Sequence, residues 1–194
     1  MNGHVLIPSK SIKYLGIYLD ETLSGRFHCQ LLQVKLNQSI GMLCKARHYV
    51  PHRELISIYY SIFSSHMVYG SQVWGQSNSS HFTKICKLQN RALRVISFSD
   101  FEAAADPLYK EYKILKLKNF ISLQNCLFVH DFFHNKLPHC FSNYFQVLSE
   151  VHSRTTKNLS LDCIFVPHSM TVKYGISSIT RHSISCWNNF STQI

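Results

Sequence analysis

Through three successive stretches of this chain apolar residues recur every three or four positions, a period that fits helices and rules out a mainly β fold. From about Phe27 onward, Leu32, Leu36, Ile40 and Leu43 fall on one face. The pattern stops at His48 to Pro51, and Pro51 suits the first turn of a second helix, where its missing N–H is not needed. Leu55, Ile58, Tyr59, Ile62 and His66 share a face of that helix, which fades into the glycine-containing segment Tyr69 to Gly75. Gln76 to Ser80 reads as a polar loop, and Ser79 or Ser80 can cap a third helix running to about Ser97. Asp100 to Pro107 interrupts it, and Pro107 to Tyr112 is a short helical turn at most. From Lys118 to Asn135 apolar residues lie almost all round the helix (Phe120, Ile121, Leu123, Leu127, Phe128, Val129, Phe132), which predicts a central helix buried on more than one side.

The two ends differ from this middle. His4 to Ile7 and Ile12 to Leu19 are β-branched and aromatic runs on either side of Pro8 to Ser11, suiting a hairpin or two neighbouring strands. Glu150 to Ser160 is polar, and the rest is rich in Ser, Thr and β-branched residues, predicting short strands or irregular structure. The expected architecture is mainly α, with a small N-terminal β-hairpin and an irregular, partly β C-terminal tail, divided at 1–25, 26–138 and 139–194.

With 194 residues, 45% of them hydrophobic, the chain can bury a core. Its formal charge of +10 comes from only 15% charged residues, so an anionic partner is expected. Nucleic acid is the commonest such partner; an anionic membrane surface and a merely basic soluble protein are the alternatives. Seven cysteines are scattered with no C-x-x-C pair, and the start lacks the apolar core of a secretory signal. These features predict reduced thiols and an intracellular protein, cytoplasmic or nuclear and not secreted. No run approaches the ~18 to 20 apolar residues of a membrane span. No Ser-His-Asp, Cys-His or glycine-rich phosphate loop stands out, so no small-molecule substrate is expected.

The sharpest chemical signal lies in the third helix. At 100° per residue Lys84, Lys87, Arg91 and Arg94 fall within an arc of roughly 80°, while Ile85, Leu88, Ala92, Val95 and Ile96 occupy a separate arc of roughly 100°. No acidic residue lies between Ser79 and Ser99 to neutralise the basic stripe along the helix. It reads as a track for nucleic-acid phosphates, with an ordinary solvated face as the alternative. Lys35 and Arg47, with Lys45, Lys113, Lys116 and Lys118, could extend it. Tyr59, Tyr69, Trp74 and Trp187 could stack on bases, although core packing is the stronger reading. Cys126, His130 and His134 repeat at intervals of four, but the outer two would stand ~12 Å apart, so no metal site is expected. The twelve histidines would add positive charge below about pH 6.5.

Five ordered phrases carry a family resemblance. They are Lys13-Tyr14-Leu15-Gly16-Ile17-Tyr18-Leu19-Asp20; His48-Tyr49-Val50-Pro51 followed by Tyr59-Tyr60-Ser61, Tyr69-Gly70 and Trp74-Gly75; and Leu88-Gln89-Asn90-Arg91-Ala92-Leu93-Arg94-Val95-Ile96. The fourth is Pro107-Leu108-Tyr109 with Leu115, Leu117 and Asn135-Lys136-Leu137-Pro138, and the fifth is Ser178-Ile179-Thr180-Arg181 with Trp187-Asn188. In this order they resemble the region downstream of the catalytic palm in reverse transcriptases of non-LTR, LINE- and jockey-like retrotransposons. The resemblance implies that 1–25 is the end of the palm, 26–138 a helical thumb-like domain and 139–194 a C-terminal tail. It places Lys13, Tyr14, Leu15 and Gly16 near a primer terminus; in the plainer reading Tyr14 and Leu15 simply pack the hairpin on the first helix. It implies an RNA or DNA template-primer duplex as partner, with a palm domain as a further one.

Departures from the family pattern fit a decaying copy as well as a functional one. Ser183 stands where the family's glycine is usual, Ser191 where its proline is, and Thr155-Thr156-Lys157 where N-T-R is. The family's polymerase site needs paired aspartates, because two metal ions about 4 Å apart must be held by clustered carboxylates. Asp20, Asp100, Asp106, Asp131 and Asp162 are isolated, and Tyr18-Leu19-Asp20-Glu21 aligns with a later strand, where Asp20 and Glu21 help turn the chain into the first helix. The expectation is a reverse-transcriptase fragment with no catalytic residues of its own and no cofactor, Mg2+ belonging to the palm. The alternative is an inactive relic or a protein-interaction module that packs against a palm.

Overall fold

The computed structural model describes residues 9–75, 80–146, 164–165 and 179–191. Strands β1 (Ser11–Tyr14) and β2 (Ile17–Asp20) pair antiparallel with Tyr14 opposite Ile17, so the turn between them is Leu15-Gly16 alone. Both turn residues have positive φ, 45° and 82°, which is the mirror-image turn whose twist matches a hairpin. The run Ile12 to Leu19 therefore folds back on itself instead of forming one strand; His4 to Ile7 lies outside the described residues. Alternating β-branched composition could not reveal this break, because Leu15 is an uncommon residue at such a φ.

Asp20 ends the hairpin and turns the chain. Its carboxylate accepts hydrogen bonds from the Ser24 amide (2.7 Å), the Ser24 hydroxyl (2.9 Å) and the Thr22 hydroxyl (3.0 Å). Helix α1 (Arg26–Ala46) follows and buries Cys29, Leu32, Leu36, Ile40 and Leu43, the predicted face. Helix α2 (His52–Ile58) continues without a break through a π-helical segment, Tyr59–Ser64, into α3 (Ser65–Val68). The wider i→i+5 turn loosens the local carbonyls. One of them, on Ile62, accepts a bond from the Ser39 hydroxyl of α1 at 2.9 Å. A short α4 (Ser71–Trp74) begins at Gly70, whose φ is 59°. Any side chain at Gly70 would collide with Ile17, so the glycine lets the hairpin lie against this corner.

Helix α5 (Ser80–Ile96) packs on α1, burying Phe82, Ile85, Gln89, Ala92, Leu93 and Ile96. The Trp74 ring lies 5.8 Å from His28 and 6.4 Å from Phe82, tying together the N-terminal ends of α1 and α5. At the other ends Arg47 lies over the Phe98 ring, 5.0 Å from its centroid. The two long helices thus run in the same direction. Helix α6 (Asp106–Glu111), with Pro107 in its first turn, closes the unit, which comprises residues 1–116.

The second unit, residues 117–194, contains α7 (Leu117–Phe133), a 3-10 turn (His139–Phe141) and α8 (Ile179–Ser191). Its core is Val129, Phe145, Ile164 and Ile184, flanked by Phe128, Phe132, Phe133 and Trp187. Two expectations change here. Helix α7 buries only a single stripe, Leu117, Ile121, Asn125 and Val129, while Leu123 and Leu127 stay 45% and 43% exposed. Leu123 and Leu127 line an open groove with Trp187 and are not covered by a second layer. The tail, expected irregular and partly β, contains the 13-residue α8. Burial of Ser183 and Ile184 against α7 overrides the weak helix propensity of its Ser, Thr and Ile residues. Asn188 of α8 then acts as a backbone mimic, accepting from the Ile164 amide at 3.1 Å and donating to the Ile164 carbonyl at 3.0 Å. The boundaries expected at 25 and 138 both fall inside these two units.

Candidate nucleic-acid interface

The burial of α5 fixes where its charges go. Taking Ile85 as reference, the buried side chains cover an arc from about −20° to +80°, and the four basic residues one from about −180° to −100°. The basic stripe therefore stands opposite the packed face, and Lys84, Lys87 and Arg91 are exposed. Among the described residues none of these three has an ion-pair partner. From Lys84 to Arg94 the stripe extends ~15 Å along the helix axis.

Arg94 differs from the others. Its Nε donates to the Ala103 carbonyl at 2.7 Å, so part of its guanidinium holds the loop that follows α5. Lys35 is exposed on α1. Arg47 is half-buried, with its guanidinium on Phe98 and its Nε donating to His48 at 3.4 Å. Lys13 projects from β1, its ammonium 5.7 Å from the Tyr18 ring centroid. Tyr14 and Leu15 are 64% and 72% exposed, and Gly16 lies under the Tyr69 ring. The Tyr69 hydroxyl donates to the Leu15 carbonyl at 2.6 Å, which holds the hairpin turn.

The polar anchor of α5 was not apparent from the apolar arc. Gln89 is buried, and its amide donates to the Leu115 carbonyl (2.9 Å) and the Tyr59 hydroxyl (3.3 Å). Beside it the Tyr109 hydroxyl donates to Asn90 at 2.7 Å. Burial pushes the Tyr59 phenol up to about 12 and raises that of Tyr109 as well, so both phenols remain neutral, Tyr59 accepting and Tyr109 donating. Tyr59 and Trp74 belong to the core and offer no face to a base.

Among the described residues acidic and metal-ligating groups are dispersed. Asp20 is engaged by Ser24 and Thr22, and Asp106 pairs with Lys116 at 2.8 Å. The His130 and His134 rings stack at 4.0 Å. Among the described residues no three His, Cys, Asp or Glu side chains are grouped to hold a metal ion. These residues do not fit the paired-carboxylate holder that nucleotidyl transfer requires. No described helix is long and apolar enough to cross a membrane.

The chain is 30% identical over 130 residues to the RNA-directed DNA polymerase from mobile element jockey of Drosophila melanogaster, covering 64% of this chain and 14% of that protein. It is 27% identical over 105 residues to the probable RNA-directed DNA polymerase from transposon X-element of the same species, covering 53% of this chain and 12% of the relative. To the jockey polymerase of Drosophila funebris it is 30% identical over 120 residues, 60% of this chain and 13% of the relative. This chain is related to transposon RNA-directed DNA polymerases. It spans about one seventh of the length of these polymerases. No family model matches it, and no solved structure does.

The five phrases that carry the sequence resemblance are where the elements touch. Leu15 of the first phrase receives the Tyr69 hydroxyl of the second, Tyr59 of the second meets Gln89 of the third, and Asn90 of the third receives Tyr109 of the fourth. In the fifth, Trp187 lies 5.6 Å from Phe133 and Asn188 clamps Ile164. The phrases thus describe packing more than chemistry. Of the exposed basic stripe, Arg91 shares the third phrase with the buried anchor Gln89, while Lys84 and Lys87 precede it.

Proposed function

We propose that this chain corresponds to the thumb and tail of an RNA-directed DNA polymerase and holds a template-primer duplex through its phosphate backbone, catalysis residing in a palm that it does not itself contain. The observation that carries this reading is the exposed, unneutralised stripe of Lys84, Lys87 and Arg91 opposite the buried face of α5. Its ~15 Å reach corresponds to about four 3.4 Å steps of a duplex strand. Lys35 is a further exposed cation on the neighbouring α1, and Arg94 serves the stripe with the part of its guanidinium that Ala103 leaves over. Contacts of this kind read no bases, so binding would be salt-dependent and weakly sequence-specific.

The test is duplex and RNA–DNA hybrid binding across salt concentration. Changing Lys84, Lys87 and Arg91 to Ala together should lower the salt slope by ~0.9 per lost contact on B-form DNA. An unchanged slope and affinity would refute the track.

A second reading, an interaction module that packs on a palm with no nucleic-acid binding of its own, draws on the hairpin, where Ile12, Tyr14 and Leu15 are 61%, 64% and 72% exposed. It would be favoured if the purified chain bound no duplex at low salt.

A further inference from the structure

The C-terminal ends of α1 and α5 meet at Phe98, which the phosphate track does not use. Phe98 follows α5 with φ at 55°, a left-handed conformation that suits glycine and strains a bulky residue. Its ring is nonetheless 56% exposed. Arg47 of the α1 terminus lies over that ring at 5.0 Å and the His48 ring meets it edge-on at 6.2 Å. Next to them Tyr49 is 88% exposed, and Phe101, in the loop held by Arg94 and Ala103, is 75% exposed. Three large aromatic residues so exposed, mixed with cations at the end of a basic helix, form neither a core nor an ordinary charged surface.

We propose that Phe98, Tyr49 and Phe101, with Arg47 and His48 beside them, form a stacking platform for unpaired nucleic-acid bases at the end of the α5 track. Aromatic faces accept any base, and neighbouring cations neutralise the phosphates that a single strand brings with it. The occupant follows from the charge: Arg47 on Phe98, with the basic stripe of Lys84, Lys87 and Arg91 along the same helix, favours an anionic partner with π-faces. The platform rests on the duplex-holding reading and adds a place for the strand where the duplex ends.

The purified chain is titrated with a blunt duplex and with the same duplex carrying a short single-stranded overhang, as DNA and as RNA, with 2-aminopurine in the overhang. The expected result is tighter binding of the overhang substrate with quenched 2-aminopurine. Phe98→Gly, combined with Tyr49→Ser and Phe101→Ser, should lower overhang affinity at least ~5-fold, since stacking contributes about 1 to 3 kcal/mol per base. Blunt-duplex affinity should stay as it was. Phe98→Gly alone relieves the left-handed strain, so its thermal midpoint should equal or exceed the wild type's, which separates lost stacking from lost folding. Equal affinity for blunt and overhang substrates, or an overhang preference unaffected by the three changes, would overturn the platform while leaving the track standing. A chain that dimerises through these residues, and whose variants only become monomeric, would overturn it in favour of a second copy. Failure to bind either substrate would remove both proposals.

Discussion

His28 and Asp20 sit on either side of the junction between the hairpin and α1, and both make that junction sensitive to acid. The Tyr18 amide donates to Nδ1 of His28 at 3.4 Å, which requires that nitrogen to be unprotonated. Burial, assisted by the positive charge of Lys35, lowers the His28 pKa below its ordinary 6.5. For Asp20 burial acts to raise the pKa, but the bonds from Ser24, Thr22 and Phe27 outweigh it and lower it below 3.8. In both cases the unfolded chain binds more protons between the folded and unfolded values, so stability rises with pH there. The His28 contribution is present above about pH 6.5 and lost as pH falls through its lowered folded value; the Asp20 contribution is present above about pH 3.8 and lost likewise. Thermal midpoints measured by circular dichroism against pH should therefore fall in two steps. His28→Gln should flatten the first and Asp20→Asn the second; a histidine variant with an unaltered profile would contradict this account. The role of Asp20 at the turn into α1 was legible in the sequence, whereas the buried, neutral state of His28 depends on Trp74 and Tyr18, and no local pattern announces it.

At the level of elements, α1 and α5 were readable because each buries one face against a neighbour, and a period of 3.6 records that. Leu15 and α8 were not. A leucine at positive φ looks in sequence like any other strand residue, and α8 is helical because Ile184 and Ser183 are buried in the unit formed with α7. Ser183 itself shows the cost of that environment. Its hydroxyl is fully buried with no hydrogen-bond partner among the described residues. A buried hydroxyl without a partner is destabilising, and alanine would remove it while favouring the helix. Ser183→Ala should thus stabilise the chain by about 1 kcal/mol, read as a rise in denaturant midpoint at constant slope. A lowered midpoint would mean that the hydroxyl is bonded after all.

On the scale of the whole molecule, the chain comprises two compact units with separate cores, one around Leu36, Tyr59 and Leu93 and the other around Val129 and Ile184. The sequence boundaries at 25 and 138 follow changes in composition, which reflect local propensity; the division after Lys116 follows which side chains share a core. Calorimetry should resolve two transitions, with an enthalpy from the shape of the melt smaller than the measured heat. Ser183→Ala should move only one of them. A single two-state transition would show that the units fold as one. Separate cores also set how sequence change accumulates: a lesion in the α7–α8 unit need not damage the stripe on α5. A copy whose tail had begun to erode would then still carry the proposed track intact on α5.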